Sequence, residues 1–269
     1  MKIKIEGADF HVEMCGNGTP LLLLHGFTGS SGTWMPFCES LGRHSYMICP
    51  DLPGHGKTVV EGGIGYFSID SAARALKEIL DGLGFEKVDV LGYSMGGRLA
   101  LAFALTYPDL VGKLVLESAS PGLESEEERQ GRRMKDHELA NFIKERGIGP
   151  FVDYWENIPL FKSLQLMPDT VKQAVRKQRL ENSPDGLANS LIGMGTGAQP
   201  SYWERLPELE AEVLLLAGGL DQKFCGIAER MSERMKSGKA LIVEAAGHAI
   251  HVENPEKFGT IVSGFLTHT

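Results

Sequence analysis

Short apolar runs alternate along the chain with longer stretches in which apolar residues recur at helical spacing. The runs predict strands at 20–25, 46–50, 88–93, 113–117, 213–217 and 240–244. The intervening patterns predict helices at 69–82, 95–107, 225–237 and 255–267. Strands that alternate with helices in this way are typical of α/β proteins with a mostly parallel sheet.

Two of the runs, 21–24 and 213–216, contain no polar residue. A continuous apolar strand is expected where helices cover both faces of a parallel sheet. The segment 2–5 instead alternates lysine with isoleucine, which is the pattern of an antiparallel strand near an edge.

The alternation of strands and helices stops near Ser120 and resumes near Glu212. Between these points, charged and aromatic residues follow a helical period, most clearly over 124–146 and 169–180. We interpret this segment as an inserted helical cap. The predicted organisation is therefore core at 1–119, cap at 120–206 and core again at 207–269.

Composition narrows the choice of partners. The chain has 269 residues, of which 42% are hydrophobic and 23% charged, so neither disorder nor a membrane span is expected. A net charge of −8 disfavours nucleic acid and acidic membranes as partners. A small anionic substrate would need locally clustered basic residues. The charged N-terminal segment does not resemble a signal peptide, so we expect a cytoplasmic protein, and its oligomeric state is left open.

The four cysteines show no metal-binding spacing. Cys15, Cys38, Cys49 and Cys225 form no C-x-x-C pair, and several lie in apolar stretches. We expect buried thiols rather than disulfides or zinc ligands, and we expect no metal.

The sequence Gly-Tyr-Ser-Met-Gly at 92–96 spans the junction of a predicted strand and a predicted helix. A sharp strand-to-helix turn of this kind holds its central serine, Ser94, clear of the chain, and the flanking glycines leave room for the turn. An ordinary glycine-rich turn is the alternative. The setting favours a nucleophile elbow.

A serine at an elbow needs a base, a group that orients the base, and donors for an oxyanion. His248 and Asp221 each follow a predicted strand, so both are expected at the same sheet edge as Ser94. The backbone N–H groups of Phe27 and Met95 are candidates for the oxyanion hole. We interpret the other loop histidines as packing residues, namely His25, His55 and His251.

These motifs resemble the landmarks of the α/β-hydrolase superfamily over nearly the whole chain. Besides the elbow, they include His-Gly-Phe at 25–27, Asp-Leu-Pro-Gly-His-Gly at 51–56, Asp221 and Gly-His at 247–248. The order serine, acid, histidine is the one this fold uses. The resemblance implies an α/β-hydrolase fold, and a serine at 94 argues against dehalogenases and epoxide hydrolases, which have aspartate there.

Arg98 is unusual because it lies in the first turns of a helix, where the dipole disfavours a cation. It could pair with a buried carboxylate or bind a substrate carboxylate beside Ser94. The string Gly-Tyr-Ser-Met-Gly-Gly-Arg at 92–98 resembles the 2-succinyl-6-hydroxy-2,4-cyclohexadiene-1-carboxylate synthases of menaquinone biosynthesis. Further positions resemble that family and imply substrate-binding roles for Tyr93, Arg132, Trp155, Phe161, Arg179 and Lys223.

The resemblance implies a substrate with three carboxylates and a reaction that eliminates pyruvate with the triad as base, without metal or organic cofactor. Two alternatives stay open. The first is a serine hydrolase of esters or of C–C bonds in ring-cleavage products. The second is a non-catalytic receptor that binds a small ligand under the cap.

Overall fold

One mixed sheet runs through the computed structural model, which describes residues 1–268. Within these residues the strands are β1 (Lys2–Ile5), β2 (Ala8–Cys15), β3 (Thr19–Leu24), β4 (Ser45–Pro50), β5 (Val59–Val60), β6 (Val88–Tyr93), β7 (Val111–Glu117), β8 (Glu212–Gly218) and β9 (Gly238–Val243). Their order is β1-β2-β4-β3-β6-β7-β8-β9, with β5 paired to β2. All six strands from β4 to β9 along this order are parallel, and β1 and β2 are antiparallel to their neighbours.

The helices lie between these strands. They are α1 (Ile69–Gly82), α2 (Met95–Thr106), α3 (Glu126–Arg146), α4 (Ile148–Trp155), α5 (Asp169–Leu180), α6 (Pro184–Met194), α7 (Gln222–Ser232), α8 (Ile250–Glu253) and α9 (Pro255–Thr267). The α/β-hydrolase fold predicted from the sequence is thereby confirmed. Among residues 1–268, no helix combines the length and apolar character needed to cross a membrane.

The core explains the continuous apolar runs. Residues 21–24 of β3 are fully buried, as are most of β6, α2 and β8. Helices α1, α2 and α7 pack on one face of the sheet, whereas α8 and α9 pack with Trp34 on the other. The alternating β1 is half exposed and antiparallel to β2, as its pattern predicts.

Four helices, α3 to α6, separate β7 from β8, and we refer to them as the cap helices. The first of them begins with a capping box, in which Ser125 and Glu128 satisfy each other's backbone N–H groups. It ends where Gly147 takes a positive φ of 80°. A small apolar cluster that includes Ile143 and Phe151 holds α3, α4 and α6 together, and Phe27 of the core packs against it. The boundaries 120–206 remain our proposal for the cap.

Two expectations need correction. Cys15 and Cys38 form a disulfide, with Cα atoms 6.1 Å apart, and both residues are only half buried. The bond joins the end of β2 to a turn 23 residues later, a proximity that only the fold creates. Cys49 and Cys225 are buried free thiols as expected. The helix predicted at 225–237 begins at 222, where the Asp221 side chain caps it, and it ends at 232.

Candidate active site

Ser94 lies on the turn between β6 and α2 in a backbone conformation that side chains rarely adopt. Its φ is 51° and its ψ is −107°. The N–H of Ser94 donates to the carbonyl of Glu117 at 2.8 Å, and the N–H of Arg98 donates to the carbonyl of Ser94 at 3.0 Å. These bonds hold the strained residue in place from both neighbouring elements.

Gly92 and Gly96, on either side of Ser94, have no room for a side chain. A Cβ on Gly92 would lie 2.4 Å from the carbonyl oxygen of Gly96. A Cβ on Gly96 would lie 2.3 Å from the carbonyl oxygen of Leu24 in β3. Helix α2 therefore approaches the sheet closely enough to present the serine at its carboxyl edge.

Ser94, His248 and Asp221 form a continuous hydrogen-bonded chain. His248 Nε2 lies 3.0 Å from Ser94 Oγ, and His248 Nδ1 lies 2.8 Å from Asp221 Oδ2. Because an ionised carboxylate only accepts, Nδ1 carries the proton and Nε2 is left to accept from the serine hydroxyl. The imidazole is nearly fully buried, at 1% exposure.

Loops after two neighbouring strands position the base and the acid. Asp221 follows β8, and its other oxygen accepts from the N–H of Phe224 at 3.3 Å. His248 follows β9 in a loop that Glu253 holds by accepting from the N–H groups of Gly247 and Ala249, at 2.7 and 3.3 Å. Phe224 packs edge-on against the imidazole, with ring centroids 4.7 Å apart. The orientation of the base is thereby fixed from several sides.

The two candidate oxyanion donors line the same cavity as Ser94. Met95 is the first residue of α2, so its N–H has no acceptor within the helix. Phe27 follows β3, and the next residue, Thr28, takes a positive φ of 70°. An edge-to-face contact between Phe27 and Trp155, with ring centroids 5.3 Å apart, packs the Phe27 loop against the cap helices.

A cavity of about 210 Å³ lies between the elbow and the cap helices. It is lined by candidate catalytic and substrate-binding side chains, among them Tyr93, Ser94, Arg98, Arg132, Trp155, Phe161, Lys223 and His248. Arg98 is buried, at 8% exposure, and burial lowers its pKa to about 10. Arg132, on α3, is more exposed and donates to Asp136 at 2.8 Å.

Among the candidate substrate-binding residues, Arg179 is the one that does not line this cavity. It borders a neighbouring cavity of about 620 Å³, together with Thr28, Gln178 and His251. The two cavities share Phe27, Tyr93 and Phe161 in their walls. The guanidinium of Arg179 lies over the ring of Phe161, 4.7 Å from its centroid, and burial lowers its pKa.

Comparison with known proteins agrees with the fold. A family model described as alpha/beta hydrolase fold matches residues 19–255. A Bacillus subtilis (strain 168) protein, provisionally named 2-succinyl-6-hydroxy-2,4-cyclohexadiene-1-carboxylate synthase, is 47% identical over 92% of this chain and 90% of its own. The chain belongs to the α/β-hydrolase family of these synthases.

Other members of the synthase family agree. The synthase of Salmonella newport (strain SL254) is 32% identical over 88% of this chain and 90% of its own. The structure of MenH from S. aureus superposes with a TM-score of 0.91 at 36% identity, covering 96% of this chain and 97% of that one. The family predicted from the string at 92–98 is thus confirmed.

The three other histidines that the sequence assigned to loop packing make buried hydrogen bonds in this synthase-family chain, and one of them, His251, lies in α8 rather than in a loop. His25 Nε2 accepts from the N–H of Leu52 at 3.0 Å, and His55 Nδ1 lies 3.2 Å from the carbonyl of Pro53. Burial lowers the pKa of both His25 and His55. His251 Nδ1 lies 2.9 Å from the buried carboxylate of Glu117.

The structure adds polar residues that the sequence did not single out. Ser118, which follows β7 with a positive φ of 48°, and Ser190 of α6 line the cavity. The position of Ser118 directly after a buried strand was a usable signal. Gln199 hydrogen-bonds Arg98 from outside the cavity, 101 residues away, and no sequence pattern indicates it.

Proposed function

We propose that this chain is a 2-succinyl-6-hydroxy-2,4-cyclohexadiene-1-carboxylate synthase of menaquinone biosynthesis. It is a lyase that eliminates pyruvate from 2-succinyl-5-enolpyruvyl-6-hydroxy-3-cyclohexene-1-carboxylate. One observation carries the proposal: a complete Ser94–His248–Asp221 chain opens into a cavity that arginine and lysine side chains also line. Membership of the synthase family supports it.

The basic side chains fit the charge of this substrate. The protein carries a net charge of −8, so a ligand with three carboxylates is repelled except where cations are concentrated. Arg98, Arg132 and Lys223 are gathered at the cavity. Each charge-assisted contact contributes roughly 1.5–3 kcal/mol. The indole N–H of Trp155 is buried without a partner among residues 1–268 and is available to the ligand.

The proposed reaction begins with transfer of a proton from the ring carbon next to the succinyl ketone to Ser94, whose own proton passes to His248. Asp221 stabilises the imidazolium that results. The N–H groups of Phe27 and Met95 hold the oxygen on which negative charge develops. The electron pair from the broken C–H bond shifts through the ring double bond and expels the enolpyruvyl oxygen. The proton on His248 is then available to the departing enolate, which becomes pyruvate.

This mechanism needs neither an acyl-enzyme nor a water nucleophile. In that respect it differs from hydrolysis of esters or of C–C bonds, for which the same triad would suffice. A non-catalytic receptor is less consistent with a serine that is hydrogen-bonded to a buried, oriented base. The proposed partner is a small anionic substrate in the cytoplasm, and we propose no nucleic acid partner.

A comparison of two substrates separates synthase from hydrolase. The purified protein should release pyruvate from the freshly prepared enolpyruvyl compound and turn over p-nitrophenyl esters slowly. Ser94→Ala should abolish both activities and serves as the control for contaminating enzymes. Rapid ester hydrolysis with no pyruvate release would favour the hydrolase alternative. A thermal shift with ligand but no turnover of any compound would favour the receptor.

A further inference from the structure

The two arginines that line the cavity, Arg98 and Arg132, have hydrogen-bond partners of different charge. Arg132 donates to a carboxylate, Asp136, so much of its charge is already balanced. Arg98 instead donates through Nη1 to the amide oxygen of Gln199 at 2.7 Å. Among residues 1–268, Gln199 is the only side chain that hydrogen-bonds the Arg98 guanidinium. A neutral amide orients a guanidinium without cancelling its charge.

Gln199 is held in one orientation. It is 1% exposed, and its backbone N–H donates to the carbonyl of Gly195 at 3.1 Å. Because arginine has donors only, the amide oxygen must face Arg98. The amide nitrogen then has no acceptor among the described residues, and it packs against Gly122, where a Cβ would lie 3.1 Å from it.

An amide nitrogen buried without a partner costs stability, on the order of a lost hydrogen bond. A glutamate of the same shape would replace this orphan donor with a second carboxylate oxygen and would give Arg98 a full ion pair. The present arrangement leaves the amide nitrogen without a partner and Arg98 without a direct ion pair among residues 1–268. Asp136, which is hydrogen-bonded to Arg132, acts on Arg98 only at longer range. Such an arrangement is expected where the missing carboxylate belongs to a ligand.

We propose that Gln199 is a positioning residue, which fixes the Arg98 guanidinium through a neutral hydrogen bond and reserves its charge for a carboxylate of the substrate. This inference rests on the proposed function, because it concerns the same cavity. Gln199 lies outside that cavity and acts only through Arg98.

The first test measures binding of succinate by calorimetry and stability by thermal unfolding. Gln199→Glu should weaken succinate binding about ten- to a hundredfold, because the new carboxylate takes the place of the ligand's. Its melting temperature should be unchanged or higher. Gln173→Glu adds the same charge on the exposed face of α5 and should change binding less than twofold. Wild-type affinity in folded Gln199→Glu would overturn the inference.

A second variant removes the acceptor without adding charge. Gln199→Met should weaken succinate binding and lower kcat/KM with the enolpyruvyl substrate. In an Arg98→Met background the same change should have less than a twofold further effect, because Gln199 acts through Arg98. A full additional loss in that background would overturn the inference. Gln199→Met also tests the positioning role of Gln199 if Gln199→Glu does not fold.

These measurements distinguish failure of the positioning role of Gln199 from failure of the proposed synthase function. Loss of succinate binding in both Gln199 variants, in a protein that releases no pyruvate, would support the positioning role and contradict the synthase function. Pyruvate release that is insensitive to both substitutions would support the function and contradict the positioning role.

Discussion

Ser94, His248 and Asp221 act as one unit if Ser94 passes its proton to His248 while Asp221 stabilises the imidazolium. We expect Ser94→Ala, His248→Ala and Asp221→Asn each to lower kcat strongly, since removal of a positioned base typically costs about 10²–10⁴-fold. The double variant Ser94→Ala/His248→Ala should be little worse than the poorer single variant. Steady-state kinetics on the enolpyruvyl substrate measure this. Losses that multiply would indicate independent groups.

Arg98 distinguishes the synthase from a general hydrolase at the level of single residues. Arg98→Lys keeps a positive charge but loses the planar, two-pronged fit to a carboxylate, so it should be nearly as impaired as Arg98→Ala. A misplaced substrate costs rate as well as affinity. Kinetics and thermal unfolding should be measured on the same preparations.

The structure already bears on the outcome for Arg98. Its hydrogen-bond partner is Gln199 rather than a carboxylate, so removal of the arginine leaves no unpaired buried charge on the partner. The melting temperature should therefore change little in either variant. Near-normal pyruvate release by the two variants would exclude binding of a substrate carboxylate by Arg98. A large drop in their melting temperature would favour a structural role for Arg98.

At the scale of elements, the elbow depends on the close approach of α2 to β3. Gly96→Ala should destabilise the fold and misplace Ser94, because the added Cβ would lie 2.3 Å from the Leu24 carbonyl oxygen. Gly131→Ala, inside α3, is the matched control, since a Cβ there meets nothing within 4 Å. It should stabilise by up to about 1 kcal/mol through helix propensity. Urea unfolding and kcat together test the pair. Equal tolerance of both substitutions would contradict the steric explanation.

The sequence predicted the elements that carry strong periodicity or a sharp turn. The strand 88–93 and the helices at 69–82 and 255–267 have the predicted bounds. Helices α4 and α6 were not predicted separately, since within a small cap their apolar faces mix with loop residues. The hydrophobic periodicity of a segment indicates which of its faces is buried, but it does not indicate how short helices pack on one another.

The same limit applies to the candidate site. Ser94, Asp221 and His248 follow β6, β8 and β9, so their positions after predicted parallel strands indicated that they lie at one edge of the sheet. The partner of Arg98, the disulfide of Cys15 and the cavity that Arg179 borders depend on contacts between distant segments. Contacts between distant segments produce no periodic pattern in a single sequence, so they could not be predicted from it.

Stability of the whole molecule should depend on pH through two buried histidines. Burial lowers the pKa of His25 and His55 below the ordinary value of 6.5, so both are neutral when the protein is folded. The unfolded chain binds more protons, so this stability is fully present above about pH 6.5 and is lost as pH falls below it. Each group contributes at most about 1.4 kcal/mol per pH unit.

The free energy of unfolding in urea should therefore decrease between pH 7 and pH 5. His55→Asn should reduce that decrease, because one of the two buried groups no longer titrates. His44→Asn, at an exposed position, leaves both buried imidazoles in place and is the control. An unchanged acid dependence in His55→Asn would mean that other groups control it.

The central claim, that this molecule eliminates pyruvate rather than hydrolysing its substrate, is tested most directly by measuring both products at once. The upstream intermediate is prepared fresh, and pyruvate is followed with a coupled dehydrogenase while the absorbance of the conjugated cyclohexadiene is recorded. We expect equimolar pyruvate and diene from the wild-type protein, and neither above background from Ser94→Ala. Pyruvate without diene, or no pyruvate from a folded wild-type protein, would contradict the proposed function.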